Sequence, residues 1–124
     1  MNILLWVVAG LLALAFLGAG GMKLATPRAG LQEKMAWVED YSDNAVKGIG
    51  LVEVLGAIGL IVPAATGIAP VLVAWAALGL AAVMAGAVVV HLKRGEGIAA
   101  AVPSIVLGLL SLLVAWGRFG AYSF

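Results

Sequence analysis

The chain has 124 residues, 65% of them hydrophobic and 10% charged, with a mean hydropathy of +1.18. Soluble domains are about 45 to 50% apolar, so this is the composition of a membrane protein, a single domain over residues 1–124 with no room for a separate catalytic unit. Seven basic and six acidic residues give a net charge of +1, too little for a phosphate-neutralising surface, and nucleic acid is excluded as a partner. The absence of cysteine excludes disulfides, thiolate metal sites and thiol redox chemistry.

The first element is Ile3 to Met22, 20 residues without an ionisable side chain. That length crosses about 30 Å of hydrocarbon at about 1.5 Å per residue. Ala13-Leu14-Ala15 has a loose likeness to a signal-peptidase site, but the segment lacks the basic stretch such peptides carry, and it is read as a retained first transmembrane helix over 3–22.

Lys23 to Val46 follows, with four acidic and three basic residues. Leu31, Met35, Val38 and Tyr41 recur there at helical offsets, with Trp37 beside them, so a short amphipathic helix at the membrane interface is expected over 28–43. An ordered polar loop with scattered apolar residues is the competing reading.

Between Glu53 and His91 lie 37 uncharged residues, too many for one crossing, so this run folds back on itself. The reversal is assigned to PAATGIAP, where Pro63 and Pro70 bracket Thr66 and Gly67. It separates a second span over 47–65 from a third over 69–92. After the polar hinge KRGEG, the uncharged run Gly97 to Gly117 makes a fourth. The fold class is therefore all-α: a four-helix transmembrane bundle with both termini on one side.

Orientation follows from lysine and arginine in the short loops. Lys23, Arg28, Lys34, Lys47, Lys93 and Arg94 lie on one side and only Arg118 on the other. Loops 23–47 and 93–96 are thus expected in the cytoplasm and both termini outside. Trp6, Trp75 and Trp116 then gather at the outer interface. There Trp116 and Arg118 are read as interfacial anchors. Small residues at Ala9 and Ala13, Gly56 and Gly59, and Ala77, Ala81 and Ala85 allow close backbone approach. That approach is assigned to packing within the bundle, with a pairing of two copies as the other use.

The candidate site is a polar cluster of Glu53, Lys23 and His91, contributed by three spans at the cytoplasmic end. Ile49, Gly50, Gly56 and Ala57 share a face with Glu53, so its carboxylate is expected to point inward. An isolated carboxylate in apolar surroundings is costly or takes up a proton, so it needs a partner, Lys23 first and His91 second. The cluster is either a structural clasp or a protonatable ligand site. For His91, beside Lys93 and Arg94, a place at the interface favoured by the helix dipole is the simpler reading. One histidine and one carboxylate do not make a metal site, since ligation takes three or four donors. Ser104 and Ser111 are candidates for hydrogen bonds between helices. No nucleophile-and-base set, phosphate loop or haem-ligating histidine pair is present, so no catalytic residue is assigned and no enzymatic activity of the chain's own is expected.

GGMKL at the end of span one, IGLVEVLGAIGLIVPAATGIAP, LGLAAVMAGAVVVHLKRGE and a final GRF, in this order and spacing, resemble the DoxX-like family of small bacterial four-helix membrane proteins. The resemblance runs from about Gly20 to Phe119. It implies a multi-pass protein of the bacterial inner membrane, with polar positions at Lys23, Glu53, His91 and Arg118. The family takes its name from a membrane subunit linked to thiosulfate oxidation with quinone as acceptor. The expected function is therefore an accessory or scaffold subunit associated with quinone-linked redox enzymes. Its partners would be the lipid bilayer and either such an enzyme or a second copy of the chain. It would need no cofactor, quinone being the single candidate. The alternative is a binding or proton-coupled transport protein for an apolar, quinone- or lipid-like ligand, working through Glu53.

Overall fold

The computed structural model describes residues 2–25, 43–95, 98–120 and 122. The interfacial segment expected over 28–43 lies outside the described residues, save for Asp43, which opens the second helix. The described residues form four helices: α1 Asn2–Ala25, α2 Asp43–Thr66, α3 Leu72–Lys93 and α4 Ile98–Phe119. Each is long and apolar enough to cross a membrane, and no strand occurs among the described residues.

The helices overrun the expected spans by one to four residues at most ends, because flanking polar residues such as Asn2, Lys23 and Asn44 continue the helical hydrogen bonding beyond the apolar stretch. α2 runs past Pro63 to Thr66, within one residue of the expected end at 65, and the Thr66 hydroxyl donates to the Val62 carbonyl at 2.8 Å. One boundary is corrected outright: α3 starts at Leu72 rather than Ala69, since Gly67 and Ala69 take positive φ values of 72° and 47° to reverse the chain.

Consecutive helices are antiparallel and close a ring, α1 against α2, α2 against α3, α3 against α4 and α4 against α1. The first and third interfaces are the most extensive. We call the end holding the start of α1, the α2–α3 turn and the end of α4 the terminal end, and the opposite one the loop end. Each helix buries a stripe spaced by threes and fours: Leu5, Ala9, Leu12, Phe16, Gly20 and Lys23 on α1, and Val46, Gly50, Glu53, Ala57 and Leu60 on α2. That spacing keeps one seam facing a neighbour along the whole crossing. Outside the seams large apolar side chains are exposed, among them Leu11, Leu14, Leu55, Leu109 and Trp116, as a lipid-facing surface requires.

A glycine admits the close approach at each of the four interfaces. A Cβ on Gly20 would stand 2.6 Å from the Gly50 carbonyl oxygen, and one on Gly50 would stand 2.8 Å from that of Gly20. Gly56 receives the Leu80 side chain and Gly59 the Ala76 methyl; Gly108 faces Met84, and Gly117 faces Leu5. Without a hydrophobic drive between helices in lipid, such contact carries much of the association.

Gly20→Ala should lower stability to unfolding in detergent by about 1–3 kcal/mol, because its obstruction is backbone and cannot rotate away. Gly10→Ala and Gly18→Ala, where a Cβ meets nothing within 4 Å, should stay within about 0.5 kcal/mol of wild type. Thermal or denaturant unfolding of the three variants side by side is the measurement.

Candidate functional site

Lys23 stands three residues after Gly20 on α1, and Glu53 three residues after Gly50 on α2, so the two charges flank the Gly20–Gly50 contact. A Cβ on Gly20 would stand 3.1 Å from the Glu53 Cβ, and one on Gly50 would stand 2.8 Å from the Lys23 Cβ, so each charged residue sits beside the glycine of the facing helix, Lys23 nearer the loop end and Glu53 nearer the middle. Side chains on a helix lean toward its N-terminus. In this antiparallel pair Lys23 therefore leans inward along the bundle and Glu53 leans outward, and they close the gap. The Lys23 ammonium donates to Glu53 Oε1 at 2.7 Å.

Both residues are buried, Lys23 at 6% and Glu53 at 2% exposure. Lys23 thus turns into the bundle instead of reaching out to the interface. Lys47 performs a different task at the same end: its ammonium donates to the Leu24 carbonyl at 3.1 Å. It thereby satisfies one of the acceptors that a helix leaves open in its last turn and places positive charge at the negative end of the dipole.

Of the two partners considered for Glu53, the structure supplies Lys23. His91 lies half-buried in the last turn of α3, at the same end of the bundle, and is not a member of the ion pair. No group of three metal-ligating side chains occurs among the described residues. What the arrangement does chemically is neutralise a carboxylate inside the protein and fix the register of α1 against α2.

Arg118 was expected as an anchor in the outer interface. It stands at the terminal end, but its side chain is turned inward and only 4% exposed. The guanidinium donates to Asn2 Oδ1 at 2.5 Å and to the Tyr122 carbonyl at 2.8 Å, and lies 6.0 Å from the centre of the Trp6 ring. A guanidinium has five donors to satisfy, and the start of α1 offers it an amide oxygen and a π face that lipid does not. Trp116 is exposed, tilted against Tyr122, and Trp75 meets Phe119 edge-on with ring centres 5.0 Å apart. Ser111 does not bond across helices. It donates to the Leu107 carbonyl of its own helix at 2.7 Å, the usual resort of a helical serine.

Gly50 is expected from the sequence on the face of Glu53, whereas Gly20, Lys47 and Asn2 are not assigned to these charges there. The signal for Gly20 is its place three residues before Lys23, which puts it on the same helix face.

Removing one partner should cost far more than removing both, since the survivor is a buried charge without a counter-ion. Lys23→Met or Glu53→Leu alone should lose about 3–5 kcal/mol, and the double substitution should recover most of it. A double-mutant cycle on unfolding in micelles measures this directly.

Compared with known proteins, the chain matches the model of the DoxX-like family over residues 7–114. No curated protein and no solved structure gives a significant match. With most of its length covered by that one model, and four membrane-spanning helices in the arrangement described, the chain belongs to the DoxX-like family.

Proposed function

We propose that this DoxX-like protein is a small accessory or scaffold subunit of the bacterial inner membrane that docks beside a quinone-linked redox enzyme. In this reading Lys23 and Glu53 serve as its internal clasp. The observation that carries the reading is the direct 2.7 Å bond between these two buried groups. Glu53 is the one carboxylate in the interior of a described helix, and its counter-ion is already fixed within the protein. A proton or an incoming ligand has to break that bond to reach it. A structural clasp fits this better than transport coupled to protonation of Glu53. The family match and the small size agree with a subunit that holds or positions a partner and performs no reaction alone.

Extraction in a mild detergent should co-purify a quinone-dependent dehydrogenase activity in constant ratio to the chain. The Lys23→Met/Glu53→Leu double variant should retain it. Recovery of the chain alone, or loss of the partner in a double variant that still folds, would count against the clasp-and-scaffold assignment.

In the same proposal the loop end faces the cytoplasm. Because the chain has no cysteine, single introduced thiols report topology without background. Ile68→Cys, in the exposed α2–α3 turn, should react with an impermeant maleimide in intact cells whose outer layer is permeable to it. Lys93→Cys at the end of α3 should react only after the inner membrane is opened. The reverse pattern would invert the orientation.

A further inference from the structure

The helices meet in two unequal ways. The α1–α2 and α3–α4 interfaces are extensive, and the α2–α3 and α4–α1 interfaces that join these two helix pairs are smaller. The joining contacts described above also gather at one end. Gly56 meets Leu80 and Gly59 meets Ala76, in the halves of α2 and α3 nearest their turn. Gly117 meets Leu5, and Arg118 meets Asn2 and Trp6, in the last turn of α4 and the first turns of α1. Inside the α1–α2 pair, by contrast, Lys23 on Glu53 and Lys47 on the Leu24 carbonyl hold the two helices together out to the loop end.

The common core ends where the joining contacts do. Its buried members reach no nearer the loop end than Phe16 on α1, Ala57 on α2, Met84 on α3 and Val114 on α4, with Ala87 and Leu107 packed at its edge. Val46 and Ala101, nearer the loop end, are fully buried but stand outside this core. On α3 no residue from Ala85 to Lys93 is buried, a length of about 12 Å. The row on α2 that meets α3 at Gly59 and Gly56 continues at helical spacing to Val52 and Ile49. Of these Val52 is 48% exposed and Ile49 half-buried.

Two helix pairs that share a core at one end only are free to pivot about that end. A region with few buried contacts opens at low cost. In lipid, moreover, parting two apolar helix faces forfeits packing but no hydrophobic energy. The Lys23–Glu53 bond lies within one helix pair, so it travels with that pair. The Arg118 contacts and the α2–α3 turn lie at the pivot, where displacement is smallest.

We propose that the bundle is a two-part clamp, in which the α1–α2 and α3–α4 pairs pivot about the terminal half and part at the loop end. The buried ion pair and the Arg118 contacts stay intact in the open and closed positions. The clamp rests on packing alone and is independent of the scaffold reading.

The test is pulsed electron paramagnetic resonance on the full chain in phospholipid nanodiscs, with spin labels on introduced cysteines. The chain has no cysteine of its own, and the labelled positions are all exposed. Ile3→Cys/Leu72→Cys spans α1 to α3 at the terminal end, and Ala25→Cys/Leu92→Cys spans the same two helices at the loop end. Ala25→Cys/Asn44→Cys stays within the α1–α2 pair at the loop end. The Ala25→Cys/Leu92→Cys distance distribution should be roughly twofold wider than either of the others. Equal widths for the two α1-to-α3 combinations would overturn the proposal. An Ala25→Cys/Asn44→Cys distribution as wide as that of Ala25→Cys/Leu92→Cys would overturn it too, since helix ends would then fray singly rather than move as pairs.

Discussion

A buried ammonium–carboxylate bond between the first two helices sets the conditions for the rest of this molecule. Neither Lys23 nor Glu53 is tolerable alone in an apolar bundle, and their bond forms only when α1 and α2 approach closely at one register. Gly20 and Gly50 supply the approach, and the N-terminal lean of side chains on antiparallel helices supplies the convergence. Attraction and close packing thus specify the same geometry. Such a pair contributes little net stability compared with well-packed apolar groups. Its value is that a register slip separates the charges, so misaligned packings of these two featureless apolar rods are heavily disfavoured.

The terminal end repeats the principle with different chemistry. Arg118 gathers Asn2, the Tyr122 carbonyl and the Trp6 ring, so the last helix is tied back to the first by charge-assisted and π contacts rather than by an ion pair. Among the described residues each end of the bundle therefore has one buried cation, and each cation joins α1 to one of its neighbours in the ring. The interface between α2 and α3 is closed instead by shape, the Leu80 side chain against Gly56 and the Ala76 methyl against Gly59.

How much of this the sequence disclosed depended on polarity. The four spans were legible from the uncharged runs and the proline-bracketed turn, because hydrocarbon admits few other solutions. Glu53 and its need for a partner were legible for the same reason. The faces of α1 were not, since Leu11 and Leu12 look alike in sequence while one meets lipid and the other the core. Periodicity carries no information where both environments are apolar. Arg118 was misplaced toward the interface because its acceptor, Asn2, lies at the far end of the chain.

The charge pair also bears on how the protein enters the membrane. Its two members belong to one hairpin, so the second helix delivers its acid to a place where the first has already delivered the base. Insertion of α2 as a lone rod would expose Glu53 to acyl chains; insertion against α1 would let the translocon release a hairpin whose net intramembrane charge is nil. The order of synthesis thereby becomes part of the physics that makes an acidic helix acceptable to lipid.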